Sequence, residues 1–217
     1  MPESHLNAPG KTVDASESKD RGLRKANPDD VRELAGALAD AFYDDPIFGW
    51  LMPDDHTRLA RLQRFYTIEL RHVGLARGHA WTSNELHGAA ISAPPGAWRV
   101  PPRVMLAQGA LFGRYLARAA ILLPAIELRH LREPHYYFAH IGVTPQAQGK
   151  GLGSTLMRPT LDRCDQEELP AYLEASSERS AALYERLGFR ITRELRVAGS
   201  PPLRLMVRPP APSAGSA

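Results

Sequence analysis

A glycine-rich segment near residue 150 has the residue types and spacing of an anion-binding site. It reads V-T-P-Q-A-Q-G-K-G-L-G-S from Val143 to Ser154, and it joins a predicted strand to a predicted helix. Three glycines within five residues leave the backbone open to close approach by a ligand. The free N–H groups and the positive dipole end of the following helix attract negative charge, and Lys150 adds a full positive charge. The segment predicts a phosphate site.

Two better-known glycine motifs do not describe this segment. A P-loop needs the pattern G-x-x-x-x-G-K-[S/T], but the residue five positions before Gly149 is Thr144, and Lys150 is followed by another glycine. A dinucleotide-binding fingerprint needs a third glycine at the position of Ser154. Because short glycine motifs are weak signals, a simple turn without a ligand stays open as the alternative.

A second segment, Pro170 to Arg190, predicts a strand, a short helix and the start of another strand. Residues 171–175 are expected to form the first strand, and residues 176–180 contain serines that can cap a helix N-terminus. Gly188 is expected to close the helix, because glycine favours the position just after a helix end.

Together, the two segments resemble the GNAT superfamily of N-acetyltransferases, which use acetyl-CoA. The family signature [R/Q]-x-x-G-x-[G/A] is matched by residues 148–153, and the usual V-x-P precedes it at residues 143–145. The partner motif is matched by A-L-Y-E-R-L-G-F at residues 182–189. The chain is similar in particular to the puromycin N-acetyltransferase-like branch, loosely over residues 22–208 and well over residues 135–190. One departure is Ser180, where family members often have Asn.

The resemblance implies that acetyl-CoA binds along the strand end, the glycine loop and the helix of the second segment. A backbone bulge at Gly142 would free an amide to face the acyl oxygen. The expected acetyl-CoA contacts are Ile141, Gly142, Val143, Gln148, Gly149, Lys150, Gly151, Leu152, Gly153, Ser154 and Ser180.

The resemblance also implies roles for side chains in acetyl transfer. Tyr184 occupies the family position that commonly donates a proton to the CoA thiolate. The general base is open between Glu174, on the strand opposite the splay, and His140, which titrates near neutrality. The expected contacts of the acceptor amine are Phe42, Asp45, Trp50 and Tyr137.

The leading hypothesis is direct acetyl transfer from acetyl-CoA to the amine of a small molecule. A non-catalytic acyl-CoA-binding regulator and an N-acetyltransferase of proteins or peptides are the alternatives. Residues 94–134 look like an insertion that narrows the acceptor side, which favours a small acceptor over a peptide.

The strands and helices predicted around these residues indicate an α/β (α+β) protein. Strands are expected at residues 22–26, 79–82, 87–93 and 135–143, in addition to those of the second segment. Helices are expected at residues 28–42 and 55–75 and after the glycine loop. Residues 103–131 are expected to form one or two helices, with limits set by Pro101-Pro102 and Pro124. The resemblance implies the GNAT fold, with a mixed central sheet of about six to seven strands that splays at the acetyl-CoA site.

The composition is that of one globular domain, with 217 residues of which 43% are apolar and 24% charged. We expect this domain at residues 21–208, between disordered tails at residues 1–20 and 209–217. The single cysteine, Cys164, excludes an internal disulfide and offers no metal cluster. The net charge of +3 is too scattered to indicate nucleic-acid binding.

Membrane and export signals are not expected from the sequence. The N-terminal residues lack an apolar signal core, and the longest apolar run, residues 119–123, is cut by Pro124. We therefore expect a cytoplasmic monomer or homodimer without a metal, a membrane partner or a nucleic-acid partner.

Overall fold

The computed structural model describes residues 22–211 as a seven-stranded sheet with helices on both faces. The predicted tails lie outside the described residues, apart from residues 209–211. The order of strands is β1-β2-β3-β4-β5-β7-β6. The strands are β1 (Leu23–Lys25), β2 (Ala80–Ser83), β3 (Gly88–Ala93), β4 (Tyr136–Val143), β5 (Ala171–Ala175), β6 (Arg190–Leu195) and β7 (Leu203–Arg208). The predicted mixed sheet of six to seven strands is confirmed, because β4 and β5 are parallel while the other neighbouring pairs are antiparallel.

Seven α-helices within the described residues cover the two faces of the sheet. They are α1 (Val31–Ala41), α2 (Pro46–Leu51), α3 (Asp55–Glu69), α4 (Pro102–Gly109), α5 (Leu116–Arg129), α6 (Leu152–Gln166) and α7 (Glu178–Arg186). A 3-10 turn at Pro28–Asp30 leads into α1, and a π-helical turn at Leu70–Gly74 extends α3. One core cluster lies mainly among α1, α2, α3 and α5, and a second lies among β4, β5, α6 and α7.

Strands β4 and β5 separate part-way along their length. Their parallel pairing joins Tyr136 to Ala171 and ends where Phe138 meets Leu173. The remaining residues of β4, from Ala139 to Val143, therefore have no partner on the β5 side. This is the splay expected from the family resemblance.

The predicted bulge at Gly142 is wrong, because the irregularity lies closer to the splay. Ile91 of β3 pairs with His140 and Ser92 pairs with Phe138, so that Ala139 is the extra residue of β4. A glycine is needed at position 142 for another reason, the close packing of α1 on this strand. A Cβ atom there would lie 2.7 Å from a methyl group of Leu38, because α1 packs directly on the strand.

The insertion between β3 and β4 folds as a kinked helical arm, formed by α4, a 3-10 turn at Ala110–Tyr115 and α5. The prediction that Pro124 ends a helix is wrong, since Pro124 lies inside α5 and the kink falls at Gly113, whose φ is 54°. Within residues 22–211, the run Pro102–Arg129 is long and apolar enough to span a membrane by length and composition alone, contrary to the sequence expectation.

Candidate active site

The glycine loop presents an uncapped helix N-terminus. Gly149 and Gly151 have φ values of 77° and 81°, a region that side-chain-bearing residues seldom adopt, and a Cβ atom at either would meet open space. Gly151 precedes α6 without any side chain capping the helix. The first N–H groups of α6 are thus available to a ligand. The Gln148 side chain donates a 2.9 Å hydrogen bond to the Val143 carbonyl and so braces the loop.

A cavity of about 850 Å³ extends from this loop along the splayed part of β4. It is also lined by the start of α7, which faces the loop across the splay. Of the predicted acetyl-CoA contacts, the structure brings ten together in this lining: Ile141, Gly142, Val143, Gln148, Gly149, Gly151, Leu152, Gly153, Ser154 and Ser180. Lys150 is exposed and is not among the described residues that line the cavity.

Tyr184 lies in the wall of the same cavity, on α7. It is 6% exposed and packs against Phe189. Burial, with the nearby Asp45 carboxylate, raises the pKa of the Tyr184 phenol above its ordinary value. The hydroxyl therefore keeps its proton at neutral pH and can act as a proton donor.

A second cavity, of about 330 Å³, lies between the sheet and the helical arm. Its walls are mainly apolar and come from α2, α3, α4, α5 and the turn between the last two. The larger apolar side chains of this lining are Phe48, Phe65, Trp98, Met105, Phe112, Leu122 and Ile126. Its polar groups include Glu69, His130, Tyr137 and Glu174.

The two cavities share six lining residues: Phe42, Asp45, Ala139, His140, Glu174 and Ser176. We call this shared region the junction. Asp45 holds it together, since its carboxylate caps α2 by accepting hydrogen bonds from the amides of Ile47 and Phe48, and accepts another from the Ser176 hydroxyl. Burial raises the pKa of Asp45. Asp45, predicted to attract the amine, is thus already engaged in joining the start of α2 to the end of β5.

Glu174 has a free carboxylate oxygen at the junction. Its Oε2 accepts a 2.8 Å hydrogen bond from the Tyr137 hydroxyl, whereas its Oε1 is buried and has no hydrogen-bond partner among the described residues. The side chain is 8% exposed, and the nearest ring nitrogen, Nδ1 of His130, lies 3.7 Å from Oε1. A buried carboxylate oxygen without a hydrogen-bond partner is costly unless a ligand supplies one. This oxygen can bind an ammonium group and accept its proton.

His140, the other predicted base, is held in a cage of rings. Its ring centroid lies 5.2 Å from that of Tyr66, 5.8 Å from Phe65 and 5.9 Å from Phe42. Burial lowers the pKa of His140 to about 4. The imidazole is therefore neutral at physiological pH and a weak proton acceptor there.

Trp50, a predicted acceptor contact, lies outside both cavities. Its ring is covered by the guanidinium of Arg118, 5.4 Å away, which also donates a hydrogen bond to the Trp50 carbonyl. Phe42 and Tyr137, two other predicted acceptor contacts, line the second cavity.

Glu69 is a site residue that the sequence prediction missed. It is 2% exposed at the end of α3 and accepts a 2.6 Å hydrogen bond from Gln108 of the arm. Burial raises the pKa of Glu69 to about 7. A signal was available, because Glu69 continues the helical spacing of Leu62, Phe65 and Tyr66 and therefore places a carboxylate on the apolar face.

Comparison with known proteins agrees with this geometry. The model of the acetyltransferase (GNAT) family matches residues 102–189. The solved structure of a histone acetyltransferase HPA2 and related acetyltransferase from Corynebacterium glutamicum has a TM-score of 0.68 at 26% identity, over 88% of this chain and 97% of that one. In sequence and in fold, the chain is similar to members of the GNAT superfamily. An uncharacterised N-acetyltransferase of Schizosaccharomyces pombe is 26% identical over 209 residues, which cover 86% of this chain and 83% of that protein.

A more distant GNAT structure shows the same fold. The polyamine N-acetyltransferase of Drosophila melanogaster is 17% identical with a TM-score of 0.56, over 86% of this chain and 98% of that one. The predicted α/β GNAT fold is confirmed, and the protein is an N-acetyltransferase of a family that uses acetyl-CoA. Membership of the puromycin N-acetyltransferase-like branch stays a prediction.

Proposed function

We propose that the protein transfers the acetyl group of acetyl-CoA directly to the primary amine of a small, mainly apolar molecule. The observation that carries the proposal is the junction, where a cavity that begins at an uncapped helix N-terminus meets an apolar cavity beside the unpaired oxygen of Glu174. A thioester from one side and an amine from the other would meet there.

The backbone groups that line the large cavity suit the chemical groups of acetyl-CoA. The diphosphate would bind the amides of residues 149–154 at the start of α6, where the positive end of the helix dipole lies. The edge of β4 beyond Phe138 is not paired with β5, so its backbone groups are available to the pantetheine arm and the acyl oxygen. Acetyl-CoA supplies an activated acyl carbon at this edge.

The smaller cavity supports a small acceptor with an apolar body. The arm covers this side with Met105, Phe112 and Leu122, so that the cavity is a pocket with limited room for a peptide chain. The ammonium group of such an acceptor would be drawn to Glu174, because a buried unpaired carboxylate is stabilised by a cation.

The chain's own residues provide the proton transfers that the reaction requires. Glu174 Oε1 accepts the proton of the ammonium group, which frees the nitrogen lone pair for attack on the acyl carbon. Tyr184 donates its phenolic proton to the departing thiolate as the C–S bond breaks, and it regains a proton from the nitrogen, which loses its second hydrogen as the amide forms. The apolar walls of the second cavity, which adjoins the junction, strengthen both interactions.

The test is CoA thiol release with a panel of acceptors. Primary amines on aromatic or aliphatic bodies are compared with their tertiary-amine counterparts and with peptides of three to ten residues. We expect turnover with primary amines of apolar body only. Preferred turnover of peptides would replace the small-molecule proposal, and acetyl-CoA binding without turnover of any acceptor would indicate a regulatory protein.

A further inference from the structure

The exposed large apolar side chains of the described residues are concentrated on the helical arm. Eight such side chains are exposed within residues 22–211, and six of them lie on α4 and α5: Met105, Leu106, Leu116, Ile121, Leu123 and Leu128. The other two, Leu59 and Ile191, lie on α3 and β6. Apolar side chains gathered in this way on one outer surface indicate that a partner covers them.

Helix α5 is apolar on its outer side as well as on its inner side. Every exposed residue between positions 116 and 124 is apolar: Leu116, Ala117, Ala120, Ile121, Leu123 and Pro124. The acidic residue that follows on this side, Glu127, is paired with Arg99 at 3.1 Å, so its charge is compensated. The inner side packs Ala119 and Leu122 into the core. A helix that is apolar all round is normally covered all round.

Arginines without an acidic partner accompany this apolar surface. Between residues 102 and 129 the chain has a single acidic residue, Glu127, and four arginines: Arg103, Arg114, Arg118 and Arg129. None of the four forms a salt bridge with a residue that the structure describes. Cations beside an apolar surface suit a partner that is apolar inside and anionic at its rim, which is the chemistry of a membrane of acidic lipids.

The arm is built to lie on such a surface. The kink at Gly113 divides it into two helices, and Arg114 and Arg118 interrupt the apolar run near its middle. Its inner side is held to the domain, since α4 packs on α3, α5 packs on α2, and the Arg118 guanidinium donates a hydrogen bond to the Trp50 carbonyl. An arm held in this way presents its outer side alone to a lipid surface.

The second cavity opens on the same side of the molecule. Four of the described residues that line it are exposed, and all four belong to the arm or to the loop before it: Arg99, Met105, Leu123 and Glu127. The junction, by contrast, contains no exposed residue. Met105 and Leu123 therefore belong both to the cavity wall and to the exposed apolar surface. Whatever covers this surface adjoins the opening of the acceptor cavity.

We propose that the outer side of the arm docks on a membrane surface that contains anionic lipids. Leu106, Ile121 and Leu128 enter the apolar layer beneath the headgroups, and Arg103 and Arg129 bind lipid phosphates. The sequence alone predicted no membrane partner because it was searched for a spanning run, which a docked arm does not need. The proposal does not depend on acetyl transfer, since docking requires no turnover.

The first test is co-sedimentation with vesicles of phosphatidylglycerol or of phosphatidylcholine. We expect the protein to bind phosphatidylglycerol vesicles and to bind them less as salt rises. The double variant Leu106→Ser with Leu128→Ser should bind about tenfold more weakly, because both side chains leave water on docking. Its matched control is Leu59→Ser with Ile191→Ser, at the two exposed positions outside the arm. No binding of the wild-type protein, or equal losses in both double variants, would overturn the proposal.

A second pair of variants tests the arginines. Arg103→Gln with Arg129→Gln should weaken binding to phosphatidylglycerol vesicles about tenfold. Arg190→Gln with Arg193→Gln removes the same charge from two exposed positions of β6 and should have little effect. Equal losses would show attraction by net charge without docking of the arm, and would overturn the proposal.

A fluorescent label locates the contact. Cys164 is buried, so a polarity-sensitive fluorophore reacts selectively with a cysteine introduced on the surface. On addition of phosphatidylglycerol vesicles, the emission of the label on Leu128→Cys should shift to the blue, and that of the label on Leu59→Cys should not. No shift in Leu128→Cys, or equal shifts in both variants, would refute docking by the arm.

Sedimentation velocity without lipid tests the competing occupant, a second copy of this chain. A dimer that Leu106→Ser with Leu128→Ser dissociates, together with no vesicle binding, would overturn the proposal. The proposed function fails separately. Vesicle binding by the arm without turnover of any amine would support docking and refute the acetyl transfer, whereas turnover without vesicle binding would refute docking alone.

Discussion

The Tyr184 side chain is buried, and this burial sets the protonation state of its phenol. Burial keeps its phenol protonated, and Tyr184 lines the large cavity, in which the thiolate would depart. Tyr184→Phe removes the hydroxyl alone, so we expect kcat to fall about 100-fold while acetyl-CoA still binds. Thiol release and calorimetric titration measure the two quantities.

Tyr136→Phe is the matched control for that substitution. Tyr136 is also a buried tyrosine, but its hydroxyl binds Glu167 and it lines neither cavity. A similar loss of kcat in both variants would contradict the assignment of Tyr184 as the donor.

Glu69 makes the stability of the fold depend on pH in a defined direction. Its pKa is about 7 in the folded protein and 4.5 ordinarily, so the folded state holds a proton that the unfolded state releases between these values. The contribution of Glu69 to stability therefore falls as the pH rises from about 4.5 to 7. We expect the free energy of unfolding of Glu69→Gln, relative to wild type, to rise over this range by up to about 3 kcal/mol.

Urea unfolding at a series of pH values measures this difference. Glu127→Gln serves as the control, because Glu127 is a half-exposed partner of Arg99 on the arm. A difference between Glu69→Gln and wild type that stays constant with pH would show that the Glu69 carboxyl does not titrate as stated.

At the scale of elements, the contact between α1 and β4 sets the floor of the large cavity. A Cβ atom at Gly142 would lie 2.7 Å from Leu38 and 2.8 Å from Phe42. Gly142→Ala must push α1 away from the strand, and we expect a loss of about 1–3 kcal/mol in unfolding free energy. Gly36→Ala, in α1 itself, meets nothing within 4 Å and should stabilise by up to about 1 kcal/mol. Equal urea midpoints for the two variants would contradict the close packing.

Elements with a local signal were predictable from the sequence. Strand β5 occupies residues 171–175 as predicted, because turn residues bound it on both sides. The bulge was misplaced from Gly142 to its true position at Ala139, because a bulge depends on the register between β4 and β3, which no local pattern encodes. The prediction that Pro124 ends a helix was wrong because Pro124 lies on the exposed side of α5. Water can solvate the backbone carbonyl that loses its helical hydrogen bond there.

The two halves of the active site also differed in how far the sequence alone predicted them. The acetyl-CoA loop is contiguous in sequence and carries a motif, so its residues could be named in advance. The acceptor side is assembled from Glu69, Gln108, His130 and Glu174, which lie far apart along the chain and meet only through tertiary packing. Each of these residues looks ordinary in its own segment.

At the scale of the whole molecule, acetyl-CoA should stabilise the fold by binding the folded state alone. At a concentration 100 times its dissociation constant, acetyl-CoA is expected to raise the unfolding free energy by about 2.7 kcal/mol. Differential scanning calorimetry measures the accompanying rise in Tm. Gly151→Val should abolish that rise, because a β-branched residue cannot hold the φ of 81° found there. A rise of equal size in Gly151→Val would contradict the role of the loop.

The central claim is that a thioester and a small amine meet at the junction beside Glu174. A crystal structure with a bisubstrate analogue, in which CoA is joined through an acetyl linker to an apolar amine, tests this claim most directly. We predict the diphosphate at the amides of residues 149–154, the amine nitrogen within about 3 Å of the Glu174 carboxylate, and the apolar body beneath α4 and α5. An acceptor portion that lies outside the arm-covered cavity, without contact to Glu174, would contradict the claim.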